Sequence, residues 1–147
     1  MGFPDNDRMV PGRDLLIAAC RGLPHDDHPM LDAAGELAQL HEIRERTPVR
    51  EMDKLDRRRA KLVRSIDLWV TLAMPVPFGA VGVHSETVGQ IVDRLAEMTI
   101  QAFVPLAQAP DAVFYDAWVR VNELADIYQD LIDELRAGTR RLPDGTG

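Results

Sequence analysis

Hydrophobic residues recur along this chain at alternating steps of three and four, the signature of helices that each present one apolar stripe. A short first helix is expected through "GRDLLIAACRG", with Pro11 in its first turn and Gly22 ending it. A second is expected from about Pro29 to Arg46, with Met30, Ala33, Ala34, Leu37 and Leu40 along one line. His41 and Arg44 extend that line at its C-terminal end. Thr47-Pro48 reads as an N-cap followed by proline at the first helical position. The third helix then continues to about Met74 on the seam Met52, Leu55, Arg59, Leu62, Ile66, Trp69 and Ala73.

"MPVPFGAVGVH" interrupts the pattern, since residues before proline are driven out of the helical region. The fourth helix has its seam at Val88, Ile91, Leu95, Met98 and Ala102, with Ser85 as the expected N-cap and Glu86 in the first turn. The fifth runs from about Asp111 to Ala137, on Phe114, Ala117, Val121, Leu124, Tyr128, Leu131 and Leu135, and Gly138 stops it. No stretch alternates long enough to compete as a strand. The expectation is an all-α fold: an antiparallel four-helix bundle with a short additional N-terminal helix. One domain spans 11–138, flanked by flexible tails at 1–10 and 139–147.

Composition narrows the class. Of 147 residues, 46% are hydrophobic and 28% charged, which suits a globular chain. The net charge of −7 argues against nucleic acid and anionic membrane surfaces as partners. The single cysteine, Cys20, excludes an intrachain disulfide, and a reducing cytoplasm fits. The first residues lack the apolar core of a signal peptide. Lysine occurs only at Lys54 and Lys61 against abundant arginine, a bias of GC-rich bacterial genomes. Large residues at Trp69, Phe114 and Trp118, with apolar flanks at Val63, Val70, Val92 and Phe103, predict a homodimer.

Candidate chemistry is sparse. Glu123, Asp126, Asp130 and Asp133 share one face of the fifth helix, opposite its seam, so they read as a solvated row and no metal is expected. Asp93 and Glu97 read the same way. His25, Asp26, Asp27 and His28 sit in a Pro-bounded linker and also read as solvated. The inward polar residues are His41, Arg44, Arg59, Tyr128 and, if the helix phase reaches back to it, His84. Arg59 in a seam needs an acid, an anion or a solvent-reaching pocket, because an unpaired buried guanidinium is costly. Asp56, one turn earlier, is the expected acid. Arg59, Arg44 and Tyr128 are the candidate ligand-binding residues; His41, His84 and Glu86 are the candidates for proton transfer. No cofactor motif is present, and none is expected.

Three segments, "MDKLDRRRAKLVRSIDLWV", "HSETVGQIVDRLAEM" and "ELADIYQDLIDELRAGTRRLP", together resemble the bacterial family catalogued as domain of unknown function 4254. The likeness spans roughly His41 to Pro143 and is closest to actinobacterial members. It implies an all-helical fold and no established activity. Many relatives carry an asparagine and a tryptophan after the "LH" pair; here Arg44 stands at the asparagine position and the tryptophan is missing. The matching positions are His41, Arg59, Asp67, His84, Glu86, Asp93 and Arg94. The resulting expectation is a small binding or accessory protein with an Arg/His-lined anion pocket. The alternatives are a cofactor-independent enzyme on a small anionic metabolite and a purely structural module for a protein partner.

Overall fold

A computed structural model describes residues 9–77, 79–103 and 111–143, and the described chain is all-α. Its helices are α1 (Arg13–Cys20), α2 (Pro29–Arg44), α3 (Met52–Ala73), α4 (Val88–Phe103) and α5 (Asp111–Ala137). Two short strands, β1 (Gly82–Val83) and β2 (Arg140–Arg141), pair in parallel. No helix among the described residues is long and apolar enough to cross a membrane.

Helix α4 is the hub. It packs on α1, α2, α3 and α5, whereas the backbones of α3 and α5 make no close approach among the described residues. Its burial is correspondingly wide: Val88, Ile91 and Leu95 are fully buried, and so are Val92 and Ala96 beside them. The expected flanks Val70 and Val92 are therefore covered within the chain, not left for a second copy. On α5, Val121, Leu124, Tyr128, Leu131 and Leu135 are buried as the seam requires. The acidic row of Glu123, Asp126, Asp130 and Asp133 is exposed.

Helix α3 departs from its expected phase. Its buried residues are Leu62, Ile66 and Val70, while Trp69 is half-buried and Ala73 exposed. A straight helix turns once in 3.6 residues, so a 3.5-residue seam drifts round it, and the contact line passes from 69 to 70. Arg59 accordingly sits at the edge of the packed face and is half-buried rather than enclosed.

Several ends differ from expectation for identifiable reasons. Thr47 does not cap α3: its hydroxyl donates to the Ile43 carbonyl at 2.7 Å, closing the end of α2, and a 3-10 turn at Val49–Glu51 leads into α3. His28 leaves the solvated-linker reading altogether. It is buried as the N-cap of α2, with Nδ1 accepting from the Met30 amide at 3.0 Å, and its ring meets Trp69 edge-on. Ser85 is exposed, and Thr87 caps α4 instead. Its Oγ1 accepts from the Gln90 amide at 3.1 Å, while Gln90 Oε1 accepts from the Thr87 amide at 2.9 Å, a reciprocal capping box.

Gly89 sets the approach of α3 to α4. A Cβ there would lie 2.4 Å from the Val63 carbonyl oxygen and 2.7 Å from Asp67 Oδ1. The second segment expected as a tail carries β2: the His84 amide donates to the Arg141 carbonyl at 2.8 Å, which ties residues 140–143 to the loop before α4. Most of the first expected tail lies outside the described residues, and Val10 at its end is buried.

Candidate functional site

The end of α2, one face of α3 and the first turns of α4 converge on an ion-pair network. His41, 6% exposed, faces Asp93 with Nε2 at 2.7 Å from Oδ1, and an ionised carboxylate there makes Nε2–H the donor. The other oxygen of Asp93 lies 3.4 Å from Arg59 Nε. Arg59 Nη1 is 3.6 Å from Asp56 Oδ1, and Arg44 Nε donates to that same oxygen at 3.1 Å. Three residues singled out by helix phase, His41, Arg44 and Arg59, thus fall into one network, joined by two carboxylates. Glu97 Oε2 stands 3.9 Å from His41 Nδ1.

Asp93 is the residue that helix phase misplaces. Judged against a narrow seam it belongs to the solvated side of α4, yet its side chain is only 19% exposed and holds the network together. The cause is the hub position of α4. The buried arc of α4 widens to take in Gly89, Val92, Ala96 and Ile100, and Asp93, opposite the narrow seam, lies at the edge of that wider arc, where it meets His41 of α2 and Arg59 of α3. Its place among the family-matching positions was the signal that marked it.

Beyond the network the surface opens into a cleft of about 470 Å³ between α3, the start of α4 and the C-terminal segment. Asp56, Arg59, Arg64, Asp67, Gln90 and Asp93 line it, with Ala60, Val63, Ser85, Thr87 and Pro143 completing the wall. Asp67 Oδ1 accepts from the Gly89 amide at 2.7 Å, at the positive end of α4. Burial pushes its carboxyl above the ordinary carboxylate range, opposed by the Gly89 amide and the Thr87 hydroxyl. Arg59 is 33% exposed on this wall.

The other sequence candidates are placed elsewhere. Tyr128 is wholly buried on α5, its hydroxyl donating to the Pro11 carbonyl at 2.7 Å. Burial drives its phenol pKa upward, so it is a neutral core residue that pins the lead-in to α1 and not a ligand contact of the cleft. His84 and Glu86 build the loop before α4 and do not line the cleft. The Glu86 amide lies 3.1 Å from His84 Nδ1, and Glu86 Oε1 pairs with Arg94 at 2.9 Å. His41 stands behind Asp93, outside the lining. Burial pushes the Cys20 thiol up to about 12, which leaves it protonated at neutral pH. Among the described residues, no cluster of three or more His, Cys, Asp or Glu side chains is arranged to hold a metal ion.

Comparison with known proteins matches the same part of the chain. No curated protein and no solved structure matches it. A family model described as a protein of unknown function, DUF4254, matches residues 38–113, which include α3, α4, the end of α2 and so every member of the ion-pair network. The segment 123–143 lies beyond the matched residues. With just over half of its length covered by that model, the chain belongs to the DUF4254 family.

Proposed function

We propose that the protein binds a small metabolite bearing an anionic group in the cleft between α3 and the start of α4, with Arg59 as the recognition group. One observation carries this reading: Arg59 stands on the cleft wall with a carboxylate on each side, Asp93 3.4 Å from its Nε and Asp56 3.6 Å from its Nη1. Asp93 holds its Nε, the buried His41 ring holds Asp93, and Asp56 lies against Nη1. A guanidinium braced in this way loses little rotamer freedom on binding, which is the entropic cost that weakens recognition by a free surface arginine. The cleft volume of about 470 Å³ also falls within the range of about 300–1,000 Å³ usual for small-molecule sites.

An enzyme on the same metabolite is the weaker reading. His41 would be its general base, but a base must reach the proton it takes, and Asp93 stands between His41 and the cleft. A purely structural module needs Arg59 closed off without a cavity, and the open wall weighs against that. The proposal also includes an antiparallel four-helix bundle in one domain, with the expected bounds 11–138 widened to take in Val10 and residues 140–143, in an actinobacterial cytoplasm. A homodimer is part of it too, now resting on Leu68 and Leu72, exposed at 62% and 78% on the outer side of α3.

Calorimetric titration with inorganic phosphate, acetate, propionate, butyrate and the amino acids glycine, β-alanine and γ-aminobutyrate tests the binding reading. At least one should bind, and Arg59→Ala should weaken it about tenfold or more while circular dichroism stays helical. Equal binding by Arg59→Ala overturns the assignment.

A further inference from the structure

We propose that the ligand of this cleft is a zwitterion, its anionic group held by Arg64 beside Arg59 and its cationic group held by Asp67. The inference rests on the cleft being a ligand site and adds the charge pattern of the ligand. It follows from a ledger of the charged groups around the lining. Asp56 is matched by Arg44 and Arg59, and Asp93 by Arg59 and His41, so two guanidinium groups offset two carboxylates within the network itself. Two lining charges remain, Arg64 and Asp67. Neither has an ion-pair partner among the described residues. They are three apart on one helix, the spacing at which opposite charges ordinarily pair, and they do not pair with each other.

Asp67 is the more demanding of the two. Its side chain is half-buried against the Gly89 amide, and the burial itself penalises the charged form. A carboxylate partly withdrawn from water and lacking a counter-charge favours a cation beside it. A ligand ammonium supplies that cation. A ligand that is only an anion leaves Asp67 uncompensated and is repelled by it. A ligand that is only a cation leaves Arg64 unused. A small molecule carrying both charges, such as an amino acid, matches both leftovers and keeps the cleft neutral.

The test is calorimetry at neutral pH with glycine, β-alanine and γ-aminobutyrate, which step the distance between the two charges. Each is paired with its carboxylate counterpart (acetate, propionate, butyrate) and its amine counterpart (methylamine, ethylamine, propylamine). At least one amino acid should bind about tenfold or more tightly than both of its counterparts. Arg64→Ala should weaken it several-fold towards the affinity of the amine, with Arg59 still holding part of the carboxylate, and Asp67→Asn should reduce it to that of the carboxylate. Arg64 is exposed, and Asn keeps an oxygen for the Gly89 amide, so both variants should fold, which thermal melts verify. A carboxylate that binds as tightly as its amino acid overturns the zwitterion and leaves the anion site standing. An advantage that survives both substitutions overturns the assignment of Arg64 and Asp67. No binding by any compound at about 10 mM, weaker than any useful affinity, sinks both readings.

Discussion

Gly89→Ala is a sharp perturbation, because two opposing effects of known size meet at one atom. Alanine favours a helix over glycine by about 0.8–1.0 kcal/mol in a helix interior, and by less this close to the N-terminus. Against that gain, the new Cβ would sit 2.4 Å from the Val63 carbonyl oxygen and 2.7 Å from Asp67 Oδ1. The first neighbour is backbone in the middle of α3 and cannot swing aside, so the helices must separate. Overpacking of this kind costs about 1–3 kcal/mol. Separation also stretches the bond from the Gly89 amide to Asp67, a charge-assisted bond worth about 1.5–3 kcal/mol. The clash should win, with a net loss of about 2–3 kcal/mol read from urea denaturation midpoints at unchanged slope. Gly35→Ala is the control. Its Cβ would meet only the Ala19 carbonyl at 3.4 Å, so the same substitution on α2 should stabilise by about 0.5–1 kcal/mol. Two glycine variants with shifts of the same sign would refute the close α3–α4 approach.

Other consequences are open to measurement. Thr87→Ala removes the capping box and should cost about 1 kcal/mol in chemical denaturation, whereas Ser85→Ala should cost almost nothing; the reverse ranking would restore Ser85 as the cap. Asp93→Ala strands His41 and Arg59 together and should cost about 2–3 kcal/mol, reduced from the fully buried case by the exposure of Arg59, and a loss below about 0.5 kcal/mol would mean the network is ornamental. The carboxyl of Asp67 is raised in the folded state, so its contribution to stability is complete below its unfolded value of 3.8 and is lost as pH rises through the folded value. Asp67→Asn should therefore raise the melting temperature at neutral pH, with the gain vanishing in acid. A gain that grows in acid would contradict the sign. Sedimentation at high micromolar concentration should show a dimer that Leu68→Lys with Leu72→Lys converts to a monomer; a parent chain that is already monomeric removes the α3 interface.

Helix identity and most of the core were legible because the apolar stripes are regular. The seams of α4 and α5 reappear almost residue for residue in the buried set, and positive-φ glycines end α1 at Gly22 and α5 at Gly138, where the chain must turn in a left-handed conformation. What periodicity could not say was which helix lies at the centre. That one fact moved Asp93 from solvent into the network and covered Val70 and Val92 without a second copy. The capping box is legible in "TVGQ", which carries the Thr-x-x-Gln spacing, but the serine two residues earlier offers a competing N-cap that the fold does not use. His28 was hidden for a different reason. Its role as an N-cap depends on the Met9 carbonyl, 3.0 Å from Nε2 and nineteen positions away in sequence, which no local pattern encodes. The same holds for Asp67, whose partner amide at Gly89 comes from the next helix.

The central claim is that the α3–α4 cleft takes the ligand. An amide-resolved NMR titration with glycine, β-alanine and γ-aminobutyrate tests it most directly. The account predicts that the saturable shifts gather at Thr87, Gly89 and Gln90 and at the α3 residues Ala60, Val63 and Asp67, with the Arg59 guanidinium responding in parallel. Shifts centred instead on the apolar groove around Met9, Trp69 and Leu72, or none anywhere in the chain, would contradict it.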